Sequence, residues 1–298
     1  MNYEAACQSD NTLRAYGGAW RRFVEWCDAH RQPSLPATGK TVAEYLSHLA
    51  DEGKKPATIA TARSAIDSRH SDEGHAPPGA ERIVKNTVRG INRTLGVDQR
   101  QAVGLTADVF ERMVMELDGD WRYWETLAII AVMRDGLLRG GELCALRVKD
   151  FEPQDDGTAR LKIRRSKTDQ EGEGAVVWLS PAAAARLAGV LRRRPRASGY
   201  IFGPRGAQRL SRQALADRIK LAASAAGFDP REFSTHSCRV GMAQDLAAAN
   251  MSSVSIAQAG RWDGVRQVVR YTRNQDAAKG AVARWHAKRQ KPAGGADE

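Results

Sequence analysis

The chain has 298 residues, of which 42% are hydrophobic and 27% charged, so it predicts about two folded domains and excludes wholesale disorder. Its net charge of +11 favours a polyanionic partner, with nucleic acid ahead of an anionic membrane. No apolar run approaches the roughly 20 residues of a membrane span, which excludes a membrane-spanning protein.

The first third of the chain predicts a bundle of about four helices without strands. In four segments the apolar residues recur at steps of three and four, as on one face of a helix. The stripes are Leu13, Tyr16, Trp20, Phe23 and Cys27; Val42, Tyr45, Leu46 and Leu49; Ile59, Ala62 and Ile66; and Val84, Val88, Ile91 and Leu95. Pro56 can begin the third helix, and the segment 74–79 predicts a loop before the fourth.

After a polar stretch at 96–104, the chain predicts a larger helical region with a small sheet. Leu161 and Ile163 alternate with polar residues, which is typical of a half-buried strand. The elements that we expect, in chain order, are a helix capped by Thr106, a buried central helix at 124–133, strands at 158–165 and 175–179, and helices at 181–193 and 211–226.

The motifs of several enzyme classes are absent from the sequence. It has no GxxxxGKS/T phosphate loop, no HExxH or paired-cysteine zinc motif and no GxSxG turn, so we expect neither a cofactor nor a metal. The first ten residues lack the apolar stretch of a signal peptide. Four widely spaced cysteines offer no disulfide framework, which favours the cytoplasm.

Two residues in the C-terminal third can bind a phosphate from one helix face. Ser234 or Thr235 can cap a helix whose first turn holds His236 and Arg239, and a spacing of three puts both on one side. Both side chains donate hydrogen bonds, and arginine can donate two at once. Taken alone, such a pair more often satisfies a neighbour or a helix cap.

Five further residues accompany this pair. Arg139 precedes Glu142 by three residues, Lys167 lies in the charged turn between the two strands, Trp262 follows a glycine helix stop, and Tyr271 ends the next helix. Taken singly, the first two are more often an exposed ion pair, the lysine a solvated side chain and the aromatic residues packing residues. Their occurrence together favours a functional site.

In this order and at this spacing, the seven residues resemble the tyrosine recombinase (phage integrase) family, most closely its Cre-type recombinases. The family pattern is an arginine with an acidic residue three later, a lysine on a β-turn, His-x-x-Arg, a histidine or tryptophan, and a tyrosine. Here Lys167 follows Arg139 by 28 positions, Trp262 follows Arg239 by 23, and Tyr271 follows Trp262 by 9. The resemblance spans most of residues 11–288.

The resemblance implies a reaction at a DNA phosphodiester. Tyr271 would be the nucleophile, and Arg139 and Arg239 would bind the non-bridging oxygens in place of metal ions. Lys167 would be the general acid that protonates the departing 5′-hydroxyl. Because the covalent 3′-phosphotyrosine keeps the energy of the phosphoester bond, rejoining would need no nucleotide.

The remaining family positions have supporting roles. His236 would donate to the phosphate or relay a proton, Trp262 would donate its indole N–H, and Glu142 would steady the site without reacting. A tyrosine is protonated at neutral pH, so Tyr271 needs a proton acceptor or strongly positive surroundings.

The fold so implied is mainly α, with an N-terminal helical core-binding (SAM-like) bundle and a mixed α+β catalytic domain that contains a small antiparallel sheet. We expect the core-binding domain at 1–95, a linker at 96–104, the catalytic domain at 105–288 and a disordered tail at 289–298. A terminal helix with the stripe Ala278, Ala281, Val282 and Trp285 would dock on a neighbouring protomer.

The implied partner is double-stranded DNA with a specific recombination site, bound by a homotetramer on two duplexes that exchange strands through a four-way junction. No membrane is involved, and the expected location is the cytoplasm, at the nucleoid. Two alternatives stay open. One is a type IB topoisomerase-like enzyme, which shares much of this chemistry, and the other is a non-catalytic DNA-binding regulator.

Overall fold

The computed structural model describes residues 10–96, 102–164, 174–193, 199–204 and 208–273, together with 282 and 286. The chain divides into two compact units, Met1–Arg100 and Gln101–Glu298. Within the described residues, no helix is both long and apolar enough to cross a membrane. The domain boundaries expected from the sequence stay predictions.

The N-terminal unit is built from the helices that the sequence predicted. They are α1 (Asp10–Ala29), α2 (Gly39–Asp51), α3 (Pro56–Asp72) and α4 (Arg82–Leu95). Their apolar stripes form one core around residues such as Phe23, Tyr45 and Ile66. Leu13 and Leu95 lie in terminal turns of α1 and α4 and are exposed, so these ends of the stripes do not reach the core. The expected loop at 74–79 runs into a short 3₁₀ turn, Pro78–Ala80.

A buried histidine joins the loop before α2 to α3. The His70 Nε2 atom accepts a hydrogen bond from the Ala37 N–H at 2.8 Å, and its Nδ1 lies 2.8 Å from the Ile66 carbonyl oxygen. These two partners require a neutral ring with its proton on Nδ1. Because the side chain of His70 is fully buried, each of these hydrogen bonds satisfies a group that water cannot reach.

The C-terminal unit surrounds one buried helix. Its elements are α5 (Ala107–Leu117), α6 (Trp124–Asp135), α7 (Gly140–Ala145), β1 (Phe151–Pro153), β2 (Ala159–Ile163), β3 (Ala175–Leu179), α8 (Pro181–Arg193), α9 (Arg212–Ala225), α10 (Ser237–Ala248), α11 (Ser253–Gly260) and α12 (Arg266–Thr272). The central helix α6 is buried from Glu125 to Arg134, as its apolar sequence predicted.

The three strands form one antiparallel sheet in the order β1-β2-β3. Leu161 pairs with Phe151 on one side and with Val177 on the other. The alternating residues Ala159, Leu161 and Ile163 are buried on the core face of the sheet. The strand predicted at 158–165 is confirmed as β2 but is shorter, Ala159–Ile163. The three-residue β1 was not predicted.

A half-buried ion pair provides the capping hydrogen bond expected from Thr106 at the start of α5. Thr106 occupies the N-cap position, but its side chain makes no capping hydrogen bond. The Asp245 carboxylate instead accepts from the Ala107 N–H at 2.9 Å and from Arg134 Nη2 at 2.8 Å. Because Arg134 lies on α6 and Asp245 on α10, this pair fixes the start of α5 to both helices.

The His70 contacts predict a specific loss of stability. Replacing His70 with leucine fills the site with an apolar side chain but leaves the Ala37 N–H without its acceptor and removes the side-chain hydrogen bond to the Ile66 carbonyl. We expect the free energy of unfolding to fall by about 1–3 kcal/mol. Urea denaturation of the whole chain measures it, with His75→Leu as the control because His75 is exposed. Equal stability of the two variants would contradict the role given to His70.

Candidate active site

Arg139 and Glu142 form an ion pair at the start of α7. Arg139 is the N-cap residue, and its N–H donates to Glu142 Oε2 at 2.9 Å. Its Nη1 atom donates to Glu142 Oε1, also at 2.9 Å. The Glu142 side chain is only 3% exposed, whereas that of Arg139 is 19% exposed. The buried carboxylate therefore holds the arginine, which keeps access to solvent.

A glycine in the first turn of α7 lets this pair approach the start of α10. Gly140 is buried, and a Cβ there would lie 3.2 Å from Thr235 Cβ and 3.4 Å from a methyl group of Leu215. A larger residue would push the two segments apart. The close approach brings Arg139 toward the turn that carries His236.

Arg239 is the most deeply buried charge of the site. Its side chain is 1% exposed, and its two Nη atoms donate to the carbonyl oxygens of Leu137 and Gly260. Burial is the largest cause that lowers the pKa of its guanidinium to about 10, and the positive charge of Arg139 lowers it further. Arg239 remains charged at neutral pH, so a bound anion would stabilise this buried positive charge.

Trp262 lies between Arg239 and Tyr271. The Arg239 Cζ atom lies 4.7 Å from the centroid of the indole ring, a favourable cation–π distance. The Trp262 and Tyr271 rings meet edge to face, with centroids 5.4 Å apart and an interplanar angle of 75°. The Tyr271 carbonyl accepts from Gln244 Nε2 at 3.1 Å, which ties the end of α12 to α10.

His236 occupies a different position from the one expected. It is the N-cap residue of α10 and is exposed, rather than lying in the first helical turn. The Ser234 hydroxyl accepts from the His236 N–H at 3.1 Å, so this serine shapes the turn before the helix instead of capping it. His236 still precedes Arg239 by one helical turn, at the same end of α10.

Two predicted features lie outside the described residues. Lys167 belongs to the segment 165–173, and Trp285 to the expected C-terminal helix. Of the apolar stripe in that helix only Val282 is described, and it is 73% exposed. The roles of both features stay predictions.

The sequence did not identify Arg261 as a site residue. Its Nη2 atom donates to Glu142 Oε2 at 2.8 Å, and its Nη1 donates to the Gly136 carbonyl at 3.0 Å. Arg261 is 119 residues from Glu142, and no local motif marks such a contact. Its position directly before Trp262 was the only available signal.

The arrangement concentrates positive charge. The guanidiniums of Arg139 and Arg261 both lie close enough to lower the pKa of Arg239, and among the described residues the Glu142 carboxylate contacts Arg139 and Arg261. Tyr271 lies close enough for its phenol to raise the pKa of Arg239. Within the described chain, no cluster of three or more histidine, cysteine, aspartate or glutamate side chains is placed to hold a metal ion. The site is suited to an anion beside a phenol.

Two family models match the chain, one for each of its parts. The model described as the phage integrase family matches residues 104–278. The model described as the phage integrase, N-terminal SAM-like domain, matches residues 2–71.

Individual proteins match over most of their length. The recombinase cre of Escherichia phage P1 is 28% identical, covering 93% of this chain and 88% of its own. An integrase/recombinase xerD homolog of Selenomonas ruminantium is also 28% identical, and the match covers 89% of this chain and 82% of the homolog. The Tn1549 transposon integrase, solved in complex with transposon right end DNA, shares the fold with a TM-score of 0.68 at 14% identity, covering 96% of each chain.

The packing of Trp262 predicts an effect at Gly260. A Cβ at this glycine would lie 2.5 Å from two atoms of the indole ring, so Gly260→Ala must displace Trp262 from Arg239. We expect a loss of about 1–3 kcal/mol in the free energy of unfolding. Gly264→Ala is the matched control, because its Cβ would meet nothing within 4 Å. Thermal denaturation with tryptophan fluorescence compares them, and a harmless Gly260→Ala would contradict the close packing.

Proposed function

The chain belongs to the phage integrase family, and from that membership we propose that it cuts and rejoins double-stranded DNA at a specific recombination site through a phosphotyrosine intermediate. One observation carries this proposal. Tyr271 lies against Trp262, whose ring packs on the buried Arg239 guanidinium, so a phenol and a strong anion site occur side by side. The DNA held by the structurally similar Tn1549 integrase supports the substrate class.

In the proposed cleavage step, the Tyr271 oxygen attacks the scissile phosphorus. A bond forms between tyrosine and the 3′-phosphate, and the bond from phosphorus to the 5′-oxygen breaks. The phenol gives up its proton, for which His236 is the proposed acceptor or relay, and the departing 5′-oxygen takes one from Lys167. The reverse step, with a 5′-hydroxyl as nucleophile, rejoins a strand and releases Tyr271.

Arg139 and Arg239 are the proposed ligands of the non-bridging oxygens. The charge of the transition state spreads over these oxygens, so fixed guanidiniums stabilise it without needing to rearrange. Arg239 is held by carbonyl oxygens and Arg139 by Glu142, which supports such a fixed arrangement. Trp262 is proposed to complete the anion site and to keep Tyr271 beside it.

The assembly proposed from the resemblance is a homotetramer on two DNA duplexes. It rests on the resemblance of the seven site residues to the Cre-type pattern alone. The expected linking helix, with Trp285, lies outside the described residues. Because DNA is the substrate, the proposed location remains the cytoplasm, at the nucleoid.

Covalent capture tests the role of Tyr271. We expect the wild type to become attached to a nicked suicide substrate made from the DNA that flanks its coding region. Tyr271→Phe should bind this DNA about as well but form no protease-sensitive adduct, since only the nucleophilic oxygen is lost. Tyr200→Phe, which removes a phenol elsewhere in the C-terminal unit, should retain adduct formation.

Three other outcomes would contradict the proposal. An adduct with Tyr271→Phe would show that another residue is the nucleophile. Relaxation of supercoiled plasmid without a recognition site would indicate a type IB topoisomerase-like enzyme. DNA binding by the wild type with no adduct on any substrate would indicate a non-catalytic regulator.

A change of leaving group tests Lys167. Lys167→Ala should slow cleavage of normal DNA by roughly 100-fold or more, because the 5′-oxygen then leaves without a proton. A substrate with sulfur at the 5′-bridging position should restore the rate, since a thiolate leaves unprotonated. Lys162→Ala, an exposed lysine on β2, should affect both substrates alike. Equal defects of Lys167→Ala on both substrates would exclude it as the acid.

A further inference from the structure

Arg261 adopts a backbone conformation that arginine rarely takes. It follows α11 as its C-cap residue, with φ of 53° in the left-handed region. Glycine enters this region without a steric penalty, whereas a residue with a Cβ is strained there. Strain of this kind persists when contacts of the side chain compensate for it, and such residues concentrate at functional sites.

The Arg261 side chain makes such contacts with the turn between α6 and α7. It donates to the Gly136 carbonyl at 3.0 Å and to Glu142 Oε2 at 2.8 Å, and its Nη2 lies 3.4 Å from the Leu137 carbonyl. The side chain is 14% exposed, so water screens these contacts only weakly. Arg261 thus connects the turn that bears Trp262 to the turn that bears Arg139.

Glu142 transmits this connection to Arg139. Its Oε1 accepts from Arg139 Nη1, while its Oε2 accepts both the Arg139 N–H and Arg261 Nη2. Both oxygens are therefore engaged, and the carboxylate has one orientation. Without Arg261, Oε2 would keep only the Arg139 N–H, so the carboxylate would be held less firmly in the orientation that engages Arg139 Nη1.

The same two turns also hold Arg239. Its guanidinium donates to the carbonyls of Leu137 and Gly260, and Leu137 is itself in the left-handed region with φ of 43°. Arg261 follows Gly260 directly, so its anchored side chain fixes the peptide whose carbonyl receives Arg239. Both proposed phosphate-binding arginines thus depend on the segment that Arg261 fastens.

We infer that Arg261 is a positioning residue for the proposed reaction: through Glu142 it orients Arg139, and it fastens the Trp262 turn to the Arg139 turn. The inference rests on the proposed function. Arg261 itself is not assigned a contact with DNA.

Replacing Arg261 with glycine distinguishes the positioning role of its side chain from an effect of its strained backbone. Arg261→Gly removes the guanidinium and at the same time relieves the left-handed conformation. With saturating suicide substrate, we expect the rate of adduct formation to fall about 10-fold to 100-fold, with DNA affinity and melting temperature nearly unchanged. Arg261→Lys keeps the charge but lacks the two-pronged head group, so it should recover part of the rate.

Arg31→Gly is the matched control. Arg31 is an exposed arginine of the N-terminal unit with φ of 54°, so the change relieves similar strain away from the site. It should leave the cleavage rate at saturating DNA unchanged. A loss as large as that of Arg261→Gly would overturn the inference.

A double-mutant cycle tests the route through Glu142. If Arg261 acts through this carboxylate, Arg261→Gly should cost less than about twofold in a Glu142→Gln background. Equal costs in both backgrounds, or a wild-type rate for Arg261→Gly alone, would overturn the inference. A wild type that forms no adduct would instead defeat the proposed function, so the two failures are distinguishable.

Discussion

The buried guanidinium of Arg239 is the constraint on which the arrangement of the site depends. Transfer of an unpaired charge into the interior is costly, and hydrogen bonds to fixed dipoles must offset it. Here the carbonyls of Leu137 and Gly260 accept from the guanidinium, and the face of Trp262 covers it. The turns before α7 and after α11 therefore have to meet around one side chain. Removal of this guanidinium would take the Arg239 hydrogen bond from the Gly260 carbonyl, leave the Leu137 carbonyl with only the longer contact from Arg261, and remove the central charge of the anion site.

The burial of Arg239 also leaves the site with more positive than negative charge when no anion is bound. Arg239, Arg139 and Arg261 lie close together, and the Glu142 carboxylate balances part of their charge. Like charges in a poorly solvated site repel one another, and here the charge of Arg139 helps to lower the pKa of Arg239. A bound phosphodiester would relieve that repulsion. The fold thus holds several positive charges close together, an arrangement that binding of an anion would stabilise.

Much of the fold could be predicted because helical periodicity is a local property of the sequence. The stripes in α2 and α3 and the apolar run of α6 identified those helices directly. Contacts between residues far apart in the chain could not be predicted from this periodicity. Thr106 occupies the N-cap position of α5 as expected, but the side chain that accepts from the Ala107 N–H is that of Asp245, 138 positions from Ala107. Arg261 was missed for the same reason, since its importance depends on a backbone conformation and an ion pair that no short motif encodes. Strand β1, with three residues that end in a proline, is too short to show alternation.

The residues brought together at the site lie at the ends of helices. Arg139 and His236 are the N-cap residues of α7 and α10, Arg261 is the C-cap of α11, and Tyr271 is in the last turn of α12. Side chains in helix interiors mostly pack against neighbouring elements. At helix ends the chain turns and leaves backbone N–H and C=O groups that side chains can satisfy. A site made from several helix ends can combine residues far apart in the chain. It is also sensitive to small shifts of each helix, because no single element holds more than one or two of the groups. Contacts between the ends, such as Arg261 to Glu142 and Arg239 to Gly260, therefore determine the geometry that the helices alone leave open.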